Sequence, residues 1–236
     1  MITRLYNGEI SLDFDEANHQ YTIDGKAIDG VTTILKIINK DDLNDWKIRV
    51  GMDYLKEELL ASKELTERNL LDLIKKAKTR GDFIGNLAAQ NGTKIHQWIE
   101  DFISNKNPEF PEDTTIHAKL QSFLRFIEEN DPEFTEIERV VYSKKYKYCG
   151  TLDFIARIKG KLLLGDFKSS NRIYKTYDFQ TSAYQKAYEE ETGIKLDGRM
   201  IVRLDKSGHP EITITEDQKK DFNAFKSCLL IKRRLK

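Results

Sequence analysis

Residues 148–170 read YCGTLDFIARIKGKLLLGDFKSS, and the interpretation of this stretch decides the fold. Thr151 to Ala156 and Leu162 to Lys168 are short apolar runs bounded by glycine, the mark of two strands. Lys159-Gly160 between them predicts a tight turn. Side chains alternate along a strand, so Asp166 and Lys168 share one face while Phe167 points to the other. Asp153 lies between Leu152 and Phe154 and is expected to face away from both. A hairpin register brings Asp153 beside Asp166.

Charges on apolar strands cost free energy unless they are paired or bind a metal. Two close carboxylates with an open side suit a hard divalent cation, Mg2+ or Mn2+. A lysine two residues on reaches the same reacting group. The combination suits phosphodiester hydrolysis: the metal binds a phosphate oxygen and acidifies a water, and the ammonium orients that water or offsets transition-state charge. An Asp-x-Lys pair also arises by chance, and a strand-end Asp often caps a turn. The reading therefore depends on what converges with it.

The rest of the chain sets the bounds. Its 236 residues suit one domain, 1–236, with an N-terminal hairpin and helical region over 1–80 and a core over 81–236. Hydrophobic residues at 39% and charged residues at 33% describe a globular chain rather than a disordered one. No apolar run approaches the ~20 residues of a membrane helix, and the N-terminus has no apolar signal core. The expected location is cytoplasmic, in a bacterium or a phage-infected host. Two cysteines, Cys149 and Cys228, are too few for an iron–sulfur cluster and lack zinc-site spacing. Lys plus Arg equals Asp plus Glu at 39 each, so nucleic-acid binding must come from local patches.

In chain order, His19 to Ile23 reads as a strand and Asp24-Gly25 as a hairpin turn. The run 31–38 reads as strand or helix, and a helix entered through Thr32 or Thr33 is the expectation. Residues 41–80 read as charged helices, with one stripe at Trp46, Val50, Tyr54, Leu55, Leu59 and Leu60 and another at Leu70, Leu73, Ile74 and Ala77. Gly92 to Ile103 reads as a helix, open to continuity with 82–90, whose buried stripe is Ile95, Ile99, Phe102 and Ile103. His96 and Glu100 lie one turn apart on it. A neutral imidazole is a good third ligand beside the two acids, and Glu100 is a candidate to orient it from behind. A helix follows over 117–130, with Leu120, Phe123, Leu124 and Ile127 inward and His117 at the surface. A strand spans 137–142. The basic turn 143–147 reads equally as a phosphate contact beside the site, through Lys145, or as a solvated turn. After the central stretch come a helix over 177–191 ended by Gly193, strands over 199–204 and 211–215, and a last helix ending in the basic tail 232–236. Gln180, Tyr184 and Tyr188 share a face of the first of these helices.

Four elements then stand in order: Gly92-Thr93-x-x-His96, Gly150-x-x-Asp153, Asp166-x-Lys168 and Gln180-x-x-x-Tyr184. This series resembles the PD-(D/E)xK nuclease superfamily, in the RecB-like branch that includes the mitochondrial genome maintenance exonuclease, over about residues 80–205. The resemblance implies an α/β, restriction-endonuclease-like fold with a mixed sheet of four or five strands flanked by helices. It implies metal ligation by His96, Asp153, Asp166 and the main-chain carbonyl of Phe167, with Lys168 as catalytic lysine. Gln180 and Tyr184 would hold the active-site strand and the nucleic acid, joined by Ser169, Arg172 and Lys145 as nucleic-acid contacts. Asp166 replaces the commoner Glu. The expected activity is a Mg2+- or Mn2+-dependent deoxyribonuclease without an iron–sulfur cluster, most simply an exonuclease on single strands or DNA ends. Helices over 31–90 are expected to arch over the site, and a recombination or replication protein is an expected partner. The alternatives are a structure-specific or restriction-type endonuclease and a non-catalytic nucleic-acid-binding module of the same fold.

Overall fold

The computed structural model describes residues 2–15, 18, 20–38, 41–62 and 66–235, with backbone alone for 41 and 42. His19 and Lys236, which the sequence assigned to a strand and to the basic tail, lie outside them. The chain forms two compact units, Met1–Ile38 with Ile95–Lys236, and Asn39–Lys94. The first 38 residues thus belong with the sheet and not with the helices that follow them.

The larger unit is mixed α/β. Its main sheet has five strands in sequential order: β5 (Glu133–Ser143), β6 (Tyr148–Ile158), β7 (Lys161–Lys168), β8 (Gly198–Leu204) and β9 (Pro210–Thr215). All neighbours are antiparallel except β7 and β8, which are parallel and joined through helix α5 (Lys175–Thr192). Parallel neighbours need such a crossover because a tight turn cannot return the chain to the same end. The turn at Lys159 and Gly160 takes φ of 49° and 82°, as a two-residue hairpin loop requires. Gly193 ends α5 in the left-handed region at φ 72°.

A second sheet, a four-stranded meander of β1 (Ile2–Leu5), β2 (Ile10–Asp15), β3 (Gln20–Ile23) and β4 (Lys26–Ile28), precedes helix α1 (Val31–Leu35). The sequence revealed the strand that becomes β3 and the turn at Asp24-Gly25, while β1 and β2 passed unread. Helix α1 starts from Gly30 without a side-chain cap, so neither Thr32 nor Thr33 opens it. The meander meets the main sheet through Leu5, Leu12, Tyr142 and Cys149, and Tyr21 bonds Thr151 at 3.0 Å.

Two apolar layers cover the main sheet. On one side Leu152, Ile155 and Leu164 pack with α1, with Ala183 and Ala187 of α5, and with Phe222 and Phe225 of helix α6 (Gln218–Arg234). On the other, Phe154, Ala156, Phe167 and Val202 pack with Leu120, Phe123 and Phe126 of helix α4 (Thr114–Asn130) and with Ile95 and Ile99 of helix α3 (Glu67–Ile103). Leu152 and Phe154 therefore serve different layers, and strict alternation fails at Asp153 between them. Opposite Asp153, Glu138 adopts φ 46° and drops out of a ladder that holds Ile137↔Phe154 and Arg139↔Leu152 on either side. That local twist is a correction to the expectation that Asp153 faces away from both neighbours.

A buried polar clamp sets the height of α5. Arg199 on β8 is 1% exposed and reaches Asp221 of α6 at 2.5 Å and Gln185 of α5 at 3.4 Å. Helix α4 begins three residues before the expected start because Asp113 caps it, accepting from the amides of Thr115 at 2.8 Å and Ile116 at 3.3 Å. Asp113→Ala should cost about 1 kcal/mol, read as a lower urea midpoint with an unchanged denaturant slope.

In the smaller unit, helix α2 (Asp41–Ala61) lies against the first part of α3. Their approach is close at two glycines: a Cβ on Gly51 would sit 2.5 Å from the Ala77 carbonyl, and one on Gly81 2.8 Å from the Lys47 Cα. Lys47 pairs with Asp82 at 2.6 Å. Leu60, expected in the apolar stripe, is 79% exposed. Helix α3 is one 37-residue helix into which the predicted 92–103 and 82–90 segments merge.

Candidate active site

The site lies where β6 and β7 run side by side. Their pairing ends at Phe154↔Gly165, one step before Asp153 and Asp166. Gly165 is obligatory here, since a Cβ would lie 1.8 Å from the ring of Phe154. Asp166 and Lys168 point to the α5 side with Leu164, while Phe167 enters the α3/α4 layer, as the alternation of β7 requires.

Asp166 is fully buried, and its Oδ2 lies 2.5 Å from Lys168 Nζ. Its Oδ1 accepts from Gln180 Nε2 at 3.5 Å, a long bond, and Gln180 also donates to the Tyr184 hydroxyl at 3.2 Å. Helix α5 can bring Tyr184 this close because residue 150 is glycine, where a Cβ would meet the tyrosine ring at 2.5 Å. The Gly150-x-x-Asp153 spacing thus joins a close-approach glycine to a site carboxylate.

Asp153 Oδ2 accepts the Phe167 amide at 2.7 Å and lies 3.5 Å from His96 Nδ1. His96 comes from α3, one residue after the buried Ile95, so the apolar stripe of the helix aims it at the sheet. Glu138, in β5, joins them: one ligand atom each from His96, Glu138 and Asp153 lie within 4.8 Å of one another. Glu100 accepts from Gln97 at 3.2 Å, and its charge acts on Glu138.

Electrostatics mark the cluster. Burial, and then the charges of Asp153, Glu100 and Asp166, push the Glu138 carboxyl up to about 8. Burial pushes Asp166 up to about 6 against the opposing pull of Lys168. Burial works against the Lys168 ammonium, but Asp166 and Asp153 outweigh it and hold the group above its ordinary value. Lys168 is therefore a cation at neutral pH in the metal-free site. Asp153, Asp166 and Glu138 share this one ammonium, and the charge of Glu100 acts on Glu138. The surplus of carboxylate oxygen beside one imidazole fits a hard divalent cation, which would relieve the repulsion that raises Glu138.

Of the residues singled out in the sequence, His96, Asp153, Asp166, Lys168, Gln180 and Tyr184 come together. Ser169 follows directly and its carbonyl accepts from Lys119 of α4 at 2.5 Å. Arg172 stacks over Tyr174 at 4.8 Å, in the segment leading into α5. Lys145 does not join them. It sits at the tip of the β5–β6 hairpin, where its amide bonds Glu190 at 2.8 Å, and the strand carries it roughly 20 Å from Asp153. Of its two readings, the turn beside the site falls away. His117 is not simply at the surface, since its ring meets Phe110 at 4.4 Å.

No family model and no curated protein matches the chain. Among solved structures it is similar to an exonuclease candidate from Eubacterium rectale, with 15% identity, a TM-score of 0.42, and 62% of this chain and 65% of that one covered. The chain thus spans just under two thirds of that relative. It is also similar to the protein SSO0001, with 14% identity, a TM-score of 0.31, and 80% and 85% of the two chains covered. Among the described residues no helix is long and apolar enough to cross a membrane.

Glu138, Lys119 and Tyr177 are the residues that sequence reasoning missed. Glu138 stands in an ordinary strand run, ERVVY preceded by Ile137, and nothing local distinguishes it from a solvated strand charge. Tyr177 packs its ring 5.0 Å from Lys168 Nζ. The mixture of tyrosine with Arg172 and Lys175 was its one visible signal.

Proposed function

We propose that this protein is a divalent-metal-dependent deoxyribonuclease that hydrolyses phosphodiester bonds in single strands or at DNA ends. The observation that carries the reading is the convergence of His96, Asp153 and Asp166 around the Lys168 ammonium, with Gln180 bonded to Asp166. His96, Asp153, Asp166, Glu138 and the Phe167 carbonyl are the groups that would hold Mg2+ or Mn2+. Such an ion, when bound, supplies an acidified water and a positive counter-charge for a phosphate oxygen. Lys168 then has its own task. Kept protonated by Asp166 and Asp153, it donates to the attacking water or to a non-bridging oxygen as negative charge develops. Gln180 orients Asp166, and Tyr184 anchors Gln180 from the next turn of α5. The Phe167 amide fixes the Asp153 carboxylate.

The test compares an end-labelled single strand, a linear duplex and a covalently closed circle, each incubated with Mg2+, with Mn2+ or with EDTA. The single strand should shorten with either metal and stay whole in EDTA, while the closed circle survives. Cutting of the circle would change the reading to an endonuclease. Failure to cut any DNA with either metal would overturn it.

A further inference from the structure

We propose that Tyr174, backed by Arg172 and Tyr177, is a stacking platform for an unpaired nucleobase next to the reacting phosphate, so that the site takes single-stranded rather than duplex DNA. The inference deepens the nuclease reading and rests on it for the position of the phosphate.

The observation is a continuous series of cations and rings that starts at the reaction centre and ends in solvent. Lys168 Nζ lies 5.0 Å from the ring of Tyr177, the Tyr177 and Tyr174 rings meet edge to face at 5.6 Å, and Arg172 Cζ lies 4.8 Å over Tyr174. The inner members are shielded, but Tyr174 is 39% exposed. Its ring does not serve the apolar layers on either side of the sheet. It stands at the residue before α5 and makes no capping bond with its side chain.

The segment carrying it is pinned. Lys119 holds the Ser169 carbonyl at 2.5 Å, the Ser170 hydroxyl donates to the Arg172 carbonyl at 2.8 Å, and the Tyr177 amide donates to the Tyr174 carbonyl at 2.9 Å. A ring held this way loses little further freedom when a base lies on it, which favours binding. The guanidinium over one face of the ring backs it for a base on its exposed side and adds positive charge toward the phosphates. Stacking accepts any base, because every base has a π-face, and it requires that the base be out of a duplex. The chemistry therefore selects an unpaired strand without selecting its sequence.

The experiment measures binding in EDTA, where nothing is cut, by fluorescence anisotropy. The probes are labelled oligothymidylate, a strand of the same length with abasic tetrahydrofuran units, and a blunt duplex. Wild-type protein should hold oligothymidylate about tenfold more tightly than the abasic strand. Tyr174→Ala should erase that difference while leaving the abasic strand and the duplex unchanged, and Tyr174→Phe should restore it. The proposal falls if wild-type protein holds the base-bearing and abasic strands alike or binds neither. It also falls if Tyr174→Ala weakens both strands equally or if Tyr174→Phe fails to rescue. The two readings fail separately. Cleavage without a base effect leaves the nuclease and removes the platform. A Tyr174-dependent base effect without cleavage by either metal leaves the platform and removes the nuclease.

Discussion

Asp166→Asn should lower cleavage at saturating Mg2+ by about a thousandfold or more, while the protein stays folded. The substitution keeps the volume and one acceptor for Gln180, removes the charge, and turns the oxygen that faces Lys168 into an NH2 donor. In the absence of metal that charge is a liability, because burial already pushes the carboxyl up to about 6. Losing it relieves that cost but leaves the buried Lys168 ammonium with Asp153 as its counter-charge, so some stability is lost as well. Lys168→Met should cost as much activity but also stability, since it leaves a fully buried carboxylate without the ammonium 2.5 Å away. Combining the two changes should recover the stability lost by Lys168→Met without recovering turnover, because the pair is then neutral on both sides. Single-turnover rates on an end-labelled strand and thermal melts of all four proteins provide the readings. Turnover within tenfold of wild type in either single variant would remove these residues from the chemistry.

The parts of this site that could be read in advance share one property: local pattern determined them. The glycine-bounded runs and the Lys159-Gly160 turn set β6 and β7 in a hairpin, and a hairpin fixes which residues face each other. That register put Asp153 beside Asp166, and the alternation of β7 put Lys168 on the face of Asp166, while their roles came from the resemblance. His96 was singled out as a third ligand beside the two acids, a role the resemblance also implies. Gly81, Gly85 and Gly92 gave reason to break α3, yet it runs through all three, because contacts elsewhere outweigh the roughly 1 kcal/mol that each glycine costs. What could not be read depends on long-range placement. Phe126 is fully buried because α4 lies under Phe154 and Phe167, which its own heptad does not disclose. Lys145 looked close in sequence to the site but is carried away by the length of β6. Strands β1 and β2 carry mixed polar and apolar residues because the meander buries little beyond Leu5 and Leu12.

Glu138 is the least legible residue and gives the second large effect. Its backbone is left-handed at φ 46°, a conformation that costs a non-glycine residue about 1–2 kcal/mol and persists only where its surroundings enforce it. Its carboxyl is pushed up to about 8 by burial and by three neighbouring acids. Such a group binds its proton more tightly in the folded state than in the unfolded chain, where the value is 4.5. The contribution of Glu138 to metal-free stability is therefore full below about pH 4.5, falls as pH rises, and levels off above about pH 8. Glu138→Gln escapes this loss. It should be more stable than wild type by about 2–4 kcal/mol at pH 8 without metal, with the advantage gone near pH 4.5. Manganese should invert the order. If Glu138 shares an ion with His96 and Asp153, wild type gains stability with Mn2+ at pH 8 as the logarithm of its affinity, and Glu138→Gln gains much less. Urea titrations at pH 4.5 and pH 8, with EDTA and with Mn2+, measure all four corners. Equal Mn2+ gains in the two proteins would show that Glu138 is not a ligand. A Glu138→Gln variant weaker than wild type at pH 8 in EDTA would show that this carboxyl is already paired by something other than a metal.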